Sequence, residues 1–489
     1  MPKLPHPDAI ADCVLAAFGA LPAKFKPRAL PHGNREWVPL AGVVMSRDIG
    51  WHGMVAATPT PTLERRGTTS TTTDNLCAQA DDKEVENAQH GDASSNTLAE
   101  PQLLCAALAT GMKCLPRDKI QHANGSVLHD WHAEVLALRG FNRWLVDQCA
   151  ALARTRHRRG STSLDEPDDS SWVRWRRDGK MGTAAFELGR GVHLHMYCSA
   201  CPCGDASMEL TMAAQADATP WPTPSTAASS DDEEAGLPGR GYFSRLGIVR
   251  RKPSRPDAPT TWSKSCTDKL AMKQFTGVLS ALTSLLIQAD GRTWLRSFII
   301  PETELVASAV ARAWGPMGRL CHASLPVMEA EDQGYGYRPF EVRMTSRVFE
   351  FAKSAEAASG SNLSALFVAP ALVSSSDLGI SCEPRLEVLI NGVLQGRKQF
   401  DPEGRGASSV SRRRMWETVQ DIHATMKGSC YGESGAEAGT RMTYEQMRAG
   451  SETGDRAEVK RFVRATVLKG WKRNEGDESW AMQIKAKPE

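Results

Sequence analysis

The chain has 489 residues, of which 41% are hydrophobic and 24% are charged, the balance of a globular protein. Its 59 Lys and Arg nearly match its 57 Asp and Glu, so the net charge of +2 excludes a histone-like protein and an acidic tail protein. The sequence lacks an apolar run of the ~20 residues that a membrane span needs and lacks a signal-peptide pattern at its start. Twelve cysteines are too few for a disulfide scaffold. We therefore expect an intracellular protein, in the nucleus or the cytoplasm, with no membrane partner.

Three segments differ in composition from the rest of the chain. Residues 59–100 hold 8 acids and 3 bases, and residues 213–238 are rich in Ala, Thr, Pro and Ser with four consecutive acids at 231–234. Residues 156–171 form a third, weaker segment. Such segments bury too little apolar surface to offset the entropy lost on ordering. We interpret all three as disordered insertions in a single domain that spans residues 1–489.

Apolar spacing predicts the remaining elements in chain order. A helix is expected over residues 134–149, because its apolar residues recur at near-helical intervals. A strand over 192–199 and the opening of a helix near 203–213 follow, and residues 269–287 are predicted to form a strongly apolar helix. Strands are expected near 340–350, 364–373 and 385–394, and helices over 408–423 and 456–469. This alternation of strands and helices favours an α/β core.

Three short stretches place a candidate metal ligand at or near a predicted helix start. They are His132-Ala133-Glu134, residues 202–207 with Cys203, and residues 265–269 with Cys266. One imidazole and two thiolates suit zinc, and three protein ligands leave a fourth position for water, as in catalytic zinc sites. A helix start also favours the thiolate, because it lowers the pKa of a cysteine. Glu134 can point into the same pocket without being a ligand.

The first two stretches form the His-x-Glu … Pro-Cys half of the zinc-deaminase signature, in which the second cysteine normally follows as Cys-x-x-Cys. Here Ala206 occupies that position, and the nearest suitable thiol downstream is Cys266, 63 residues after Cys203. The spacing alone therefore leaves two interpretations, a zinc-deaminase site and a set of unrelated core residues.

A basic segment precedes and includes the third stretch. Residues 239–273 hold 9 bases and 2 acids, a net charge of +7 in a nearly neutral chain. Such a segment beside a metal pocket suits a polyanionic partner whose phosphates it would contact. The candidate RNA contacts in it are Arg240, Arg245, Arg250, Arg251 and Arg255. The alternative is an ordinary solvated surface.

Longer stretches resemble the eukaryotic tRNA-specific adenosine deaminase 1 proteins of the fungal kind, which are related to the ADAR RNA-editing deaminases. The matching text lies at residues 103–105, 113–116, 127–139, 202–207, 246–253 and 263–271. The resemblance runs from about residue 9 to about residue 472, apart from the insertions. In this family a long insertion separates the two cysteine ligands, which accounts for the missing Cys-x-x-Cys.

The resemblance implies an α/β fold, namely a cytidine-deaminase-like core with a mixed sheet and surrounding helices, elaborated as in the ADAR deaminase domain. It implies a zinc-dependent hydrolase that converts adenosine to inosine in tRNA, at position 37 beside the anticodon of alanine tRNA. By the same resemblance His132, Cys203 and Cys266 bind one zinc ion, and Glu134 shuttles protons. DNA is not an expected partner.

The ADAR branch also buries inositol hexakisphosphate as a structural cofactor, held mostly by Lys and Arg. The corresponding positions here are Arg139, Lys269, Arg413, Tyr444, Arg448 and Lys460. Asp130, Lys252 and Lys269 correspond to a relay that links the zinc site to the cofactor. Leu138 and Met272 stand where ADARs have arginine, and Lys273, Arg412 and Arg414 are nearby bases that could compensate. The alternative is that these bases only cover a solvated surface.

Competing functions remain open at this stage. One is a deaminase that acts on another RNA or on cytidine. Others are a catalytically inactive RNA-binding subunit that keeps zinc for structure, and an inositol-phosphate-binding scaffold. The sequence has no recognisable separate RNA-binding domain, so tRNA recognition is expected from the basic residues 239–264, with the N-terminal segment as a second candidate. Glu134 argues against the inactive subunit, because a purely structural site needs no carboxylate there.

Overall fold

A computed structural model of the chain describes most of the residues outside the three compositional segments. The described residues are 4–30, 35–48, 101–159, 171–177, 184–215, 219, 237–238, 243–252, 258–321, 334–354, 357–372, 383–427, 442–450 and 453–482. The predicted insertion at 59–100 lies entirely outside these ranges, and so does most of 213–238. Of the predicted insertion at 156–171, residues 156–159 are helical and 160–170 lie outside the described residues.

Eight α-helices occur in the described ranges, and the longest one begins immediately after His132. They are α1 (Pro7–Gly19), α2 (Ala133–Arg159), α3 (Met208–Ala213), α4 (Cys266–Thr276), α5 (Ala307–Trp314), α6 (Arg412–Lys427), α7 (Tyr444–Ala449) and α8 (Gly454–Thr466). Short 3-10 turns lie at Ala23–Phe25, Arg117–His122, Asp205–Ser207, Thr283–Leu285, Gly291–Thr293 and Glu302–Glu304.

Eight of the strands form one mixed sheet. In chain order the strands are β1 (Arg35–Trp37), β2 (Leu40–Arg47), β3 (Gln102–Thr110), β4 (Val173–Trp175), β5 (Phe186–Leu188), β6 (Val192–Cys198), β7 (Leu237–Pro238), β8 (Arg250–Arg251), β9 (Leu295–Pro301), β10 (Glu341–Thr345), β11 (Ala357–Gly360), β12 (Ser364–Val368), β13 (Arg385–Ile390), β14 (Val393–Leu394), β15 (Met442–Thr443) and β16 (Ala481–Met482). The large sheet has the order β10-β9-β6-β2-β3-β12-β13-β14, and β6, β9 and β10 run parallel to one another. The pairs β2–β6, β2–β3 and β3–β12 are antiparallel.

Helices cover both faces of this sheet. On one face α2 packs against β2, β3 and β12 and against α6, while α4 packs against α8. On the other face α1 packs against the central strands. Strand β6 divides its side chains accordingly: Leu194 and Met196 lie in the large core with α2, whereas Tyr197 lies in a smaller core with α1. The predicted α/β core with a mixed sheet and surrounding helices is confirmed.

The structure confirms most predicted elements and corrects one. Strands and helices occur at each predicted position, although α2 continues ten residues beyond 149 to Arg159. The apolar helix predicted over 269–287 is wrong beyond Thr276. Gly277 adopts φ +60°, and a Cβ there would lie 2.9 Å from the Thr293 carbonyl, so the helix ends there. The apolar residues that follow are buried outside an α-helix.

No helix in the described ranges is both long enough and apolar enough to cross a membrane.

Candidate active site and the basic cavity behind it

The start of α2 holds His132 in one orientation. The His132 N–H donates to Asp130 Oδ1 at 3.0 Å. The ring Nδ1 lies 3.0 Å from the same carboxylate oxygen and 3.1 Å from the Lys113 carbonyl, and both of these partners are acceptors. Nδ1 therefore carries the hydrogen and Nε2 keeps its lone pair. A carboxylate behind the imidazole is the usual support of a metal-binding histidine.

The two candidate cysteine ligands are in direct contact. The Cys266 N–H donates to Cys203 Sγ at 3.4 Å, and the Thr267 N–H donates to the Cys203 carbonyl at 3.0 Å. Gly204 has φ +122°, and a Cβ there would lie 2.3 Å from Ser265 Oγ, so only glycine lets the cysteine loop approach the start of α4 this closely. The split motif is thus joined in space.

The two thiols differ in acidity. Hydrogen bonding from Cys266 lowers the pKa of Cys203 to about 6, with Lys252 and His132 adding to the effect against burial. Burial and the neighbouring Cys203 raise the pKa of Cys266 well above its usual value. The Lys252 ammonium donates to Cys266 Sγ at 3.2 Å. A cation and a helix start at these sulfurs are the surroundings that a thiolate ligand needs.

Glu134 lies in the first turn of α2 and is 7% exposed. Its charge raises the pKa of Cys203 and Cys266, as well as that of Cys198 and Cys201, which indicates that the carboxylate faces the cysteine loops. Among the residues that the structure describes, no three His, Cys, Asp or Glu side chains are already spaced to hold a metal ion. Cys203 and Cys266 are in contact, and the charges of His132 and Glu134 act on Cys203.

The predicted relay residues form one buried network around Asp130. Its Oδ2 accepts from Lys252 Nζ at 2.8 Å, from Ser263 Oγ at 2.6 Å and from Lys269 Nζ. Burial alone would raise the pKa of Asp130, but Lys252 and Lys269 hold it well below its usual range. Asp130 therefore stays ionised, with one oxygen on His132 and the other on two lysines.

Behind this network lies a cavity of about 250 Å³. Eight bases and one acid line it together with five uncharged residues. The lining residues are His129, Asp130, Val135, Arg139, Lys264, Lys269, Met272, Arg412, Arg448, Lys460, Arg464, Trp471, Arg473 and Asn474. Lys269 faces the cavity and also bonds Asp130, so the cavity and the His132 ring share one carboxylate.

The charges of the cavity repel one another. Burial, together with the charges of Lys269 and Arg251, lowers the pKa of Lys264 to about 7. Burial lowers the pKa of Arg139 to about 10, with Arg412 adding to the effect. Desolvation, Arg456 and Lys273 hold the pKa of Lys460 well below its usual value. Such a cluster is stabilised by a polyanion that neutralises it.

The structure brings four of the six predicted inositol-phosphate residues to this cavity and leaves two outside its lining. Arg139, Lys269, Arg448 and Lys460 line it. Arg413 instead donates to the Asn124 carbonyl at 3.1 Å. Tyr444 stacks on Trp480, and its ring lies under Arg412 and Arg448.

Four residues that the sequence did not assign to the polyanion site also line the cavity, namely Lys264, Arg464, Trp471 and Arg473. Arg412 lines it in place of Arg413, because the turn before α6 directs the first of three consecutive arginines inward. The signal available in the sequence was the helical spacing of Lys460 and Arg464, which puts both on one face of α8.

The structure describes three of the five predicted RNA contacts in residues 239–264, and two of those three are buried. Arg250 is fully buried, and its backbone N–H donates to Asp268 Oδ2 at 2.9 Å. Arg251 is buried beside the Trp262 ring. Arg245 is exposed, whereas Arg240 and Arg255 lie outside the described residues. Arg250 and Arg251 thus lack the exposure that a phosphate contact requires, because their positive charges face the protein interior.

Two arginines that the sequence did not single out support the cysteine loops. Arg312 on α5 donates to Asp205 Oδ2 at 3.1 Å, two residues after Cys203. Arg319 donates to Asp268 Oδ1 at 2.7 Å, two residues after Cys266. Both carboxylates are completely buried. The arginines follow their partners by 107 and 51 residues, so no local pattern could reveal these pairs.

Comparisons with known proteins match this architecture. The family model of the adenosine-deaminase (editase) domain matches residues 107–475. The chain is 31% identical to a tRNA-specific adenosine deaminase 1 of Schizosaccharomyces pombe over 96% of this chain and 95% of that protein. It is 35% identical to a tRNA-specific adenosine deaminase 1 of Saccharomyces cerevisiae over 40% of this chain and 46% of that protein. A mouse double-stranded RNA-specific editase B2 is 27% identical over 40% of this chain and 24% of that protein.

Proposed function

Because the chain belongs to the adenosine-deaminase (editase) domain family, we propose that it converts adenosine to inosine in tRNA by zinc-dependent hydrolysis. The substrate we propose is adenosine 37, next to the anticodon of alanine tRNA. The observation that carries the proposal is the joining of Cys203, Cys266 and His132 around the Glu134 carboxylate, although the cysteines are 63 residues apart. The names of the relatives with tRNA as substrate support the choice of RNA.

The donor set fits zinc. His132 offers Nε2, since its Nδ1 is held by Asp130, and the two sulfurs lie next to the Lys252 ammonium. One imidazole and two thiolates would leave a position for water. When bound, zinc lowers the pKa of a coordinated water to ~7 and so supplies a nucleophile at neutral pH.

Glu134 is the residue we propose as general base and general acid. Its carboxylate would take one proton from the attacking water and pass it to ring nitrogen N1 as the C6–O bond forms. It would then take the proton of the new C6 hydroxyl and pass it to the amine, so that the C6–N bond breaks, ammonia leaves and the carbonyl of inosine forms. The Glu134 side chain is buried at the start of α2, which limits the water that competes for those protons. The reacting base must leave its stack, which costs less in a loop than in a duplex.

We further propose that the basic cavity binds inositol hexakisphosphate. Eight bases against one carboxylate, with depressed pKa values at Lys264, Arg139 and Lys460, support a ligand of high negative charge. Lys269 would contact this ligand and Asp130 together, and Asp130 orients His132. Binding of the polyanion would thereby fix the geometry of the zinc ligands.

Purified chain incubated with alanine tRNA tests the reaction, with zinc measured on the same sample. Inosine at position 37 together with about one zinc per chain is the expected result. A second substrate in which guanosine replaces adenosine 37 should yield no inosine. Zinc binding without inosine in a correctly folded tRNA would contradict the proposed reaction and favour an inactive RNA-binding subunit. Inosine at another position would contradict only the choice of adenosine 37.

A further inference from the structure

A second basic surface lies at the N-terminal end of the described chain, outside the site and the cavity. It consists of Lys24, Lys26, Arg28, Arg35 and Lys353 and is called here the Trp37 surface. The backbone pairs the segments of Arg28 and Arg35, Lys353 lies at the ring of the partly exposed Trp37, and Lys24 and Lys26 precede Arg28 in the chain. In the described ranges 24–30, 35–37 and 350–354 these five bases face only two acids, Glu36 and Glu350, which leaves a net charge of +3.

The bases of the Trp37 surface have no opposing carboxylate. The ion pairs between described residues include none of the five, although neighbouring Arg347 pairs with Asp12 at 2.7 Å. The nearby Glu36 carboxylate instead accepts the Ser361 hydroxyl at 2.8 Å and the Arg28 backbone N–H at 3.3 Å. Lys24, Arg28 and Lys353 are exposed. Their charges are therefore available to a ligand in solution.

The backbone holds this surface in a fixed position. Glu36 N–H donates to the Arg28 carbonyl at 3.0 Å, and Ser361 N–H donates to the Trp37 carbonyl at 2.8 Å. Strands β1 and β11 pair in parallel, which joins the 35–37 segment to the chain that follows Lys353. The Lys353 ammonium lies 5.7 Å from the centre of the Trp37 ring. The bases are thus presented from two chain segments as one patch.

Backbone hydrogen bonds connect the chain just after Trp37 to the candidate active site. Gly111 N–H donates to the Pro39 carbonyl at 3.3 Å, and the Gly111 carbonyl accepts from the first N–H of α2, that of Ala133, at 2.9 Å. Two residues further, the Lys113 carbonyl accepts from Trp131 N–H at 3.0 Å. The surface therefore begins beside the segment that positions His132 and Glu134.

We propose that the Trp37 surface binds the phosphate backbone of the RNA substrate and guides it to the site. This inference rests on the proposed function, because it takes the substrate to be tRNA. The basic segment 239–264, where sequence composition first suggested RNA contacts, turns its Arg250 and Arg251 inward. The Trp37 surface presents three exposed bases, Lys24, Arg28 and Lys353. Contacts from Lys and Arg to phosphates carry affinity without reading the base sequence.

The test replaces three exposed bases, Lys24→Gln, Arg28→Gln and Lys353→Gln, in one variant. Binding to full-length alanine tRNA is measured at several salt concentrations. We expect affinity to fall about 10–100-fold and the slope of log K against log salt to fall by about 2–3, one per lost phosphate contact. The matched control changes the exposed bases Arg154, Arg461 and Lys469 to Gln and should bind like the parent. Zinc content should be the same in all three proteins.

The possible failures are distinguishable. Suppose that the parent binds tRNA and forms inosine but the Lys24/Arg28/Lys353 variant keeps the parent affinity and salt slope. The proposed role of the Trp37 surface is then wrong, and the proposed function stands. An equal loss in variant and control would also overturn it, because any three bases would then suffice. If the parent binds tRNA through this surface but forms no inosine, the proposed function fails alone. Absence of tRNA binding by the parent overturns both.

Discussion

The candidate active site and the basic cavity are neighbours with opposite charge balance. Around the site the buried carboxylates of Asp130 and Asp268 have cationic partners: Asp130 contacts His132, Lys252 and Lys269, and Asp268 contacts Arg319. Eight bases and one carboxylate line the cavity, and of these bases Arg412 and Arg473 also have carboxylate partners outside the lining, Asp477 at 3.0 Å and Glu445 at 3.6 Å. A balanced network holds its geometry unaided, whereas a group of like charges needs a ligand to offset its repulsion. Lys269 belongs to both regions, so a polyanion in one supports the geometry of the other.

The largest expected effect comes from removing the carboxylate charge of Glu134. Glu134→Gln should lower the rate of inosine formation by about 10²–10⁴-fold, because the amide cannot accept and return the proton. Zinc content and tRNA affinity should stay at the parent values. Single-turnover kinetics on alanine tRNA, with Glu458→Gln on the exposed side of α8 as the control, measures this. A variant with the parent rate would remove Glu134 from the mechanism.

The second largest effect comes from breaking the buried ion pair between Arg319 and Asp268, beside the cysteine loops. Arg319→Met leaves the fully buried Asp268 carboxylate without the guanidinium that hydrogen-bonds it, and we expect the free energy of unfolding to fall by about 3–5 kcal/mol. The matched control Arg347→Met removes a pair whose side chains are 48% and 50% exposed, and should destabilise the protein much less, because solvent screens exposed charges. Urea unfolding of both variants compares them.

A double-mutant cycle sharpens that test. If Arg319 acts mainly by neutralising Asp268, adding Asp268→Asn to Arg319→Met should recover part of the lost stability. Faster loss of zinc to a chelator is expected in Arg319→Met, since Asp268 accepts from the hydroxyl of Ser265, which caps the helix that begins at Cys266. Equal losses of unfolding free energy in Arg319→Met and Arg347→Met would contradict a larger contribution from the buried pair.

Removing a charge from the basic cavity should instead stabilise the protein when no polyanion is bound. Removing one of its bases with Lys460→Met relieves repulsion, so the melting temperature without polyanion should rise by a few degrees. The gain in melting temperature on adding inositol hexakisphosphate should shrink, because one contact to the ligand is lost. Thermal denaturation with and without the added ligand measures both effects. Arg461→Met, one residue away and exposed, is the control. Equal ligand gains in the two variants would contradict a polyanion site here.

The smallest effect is a pH dependence. Burial lowers the pKa of Lys264 to about 7, below the ~10.5 of an unfolded lysine. Between these values the unfolded chain binds more protons, so stability without polyanion should rise with pH from 7 upward and fall as the pH approaches 7. Lys264→Met should have a flatter profile between pH 7 and 8.5 in urea unfolding, and added inositol hexakisphosphate should flatten the parent profile too. Parallel profiles for parent and variant would contradict the lowered pKa.

The sequence predicted the residues of the candidate active site more completely than those that line the basic cavity, for a physical reason. His132, Glu134, Cys203 and Cys266 each sit at a turn or helix start whose local sequence is distinctive, and the structure brings them together. The cavity depends on long side chains from α2, α4, α6 and α8, and one position along a helix decides whether a base points inward. Arg412 and Arg413 are adjacent and equally basic, yet only Arg412 lines the cavity.

The same limit explains the other differences. Arg250 looks like a surface base in a run of bases, but Asp205 and Asp268, 45 residues before and 18 residues after it, neutralise it in the interior. The helix predicted over 269–287 was wrong beyond Thr276 because apolar spacing continued through a turn that Gly277 permits. Patterns identify local chemistry, whereas distant partners decide which charges are buried.

Native mass spectrometry of the purified chain tests the contrast between the two regions most directly. The mass under native conditions is compared with that after denaturation, and the released small molecule is identified. The account predicts a mass excess equal to one zinc ion plus one polyanion, with inositol hexakisphosphate released on unfolding. A folded chain that carries zinc and forms inosine but holds no polyanion would contradict it, because the eight bases of the cavity would then be stable without a ligand.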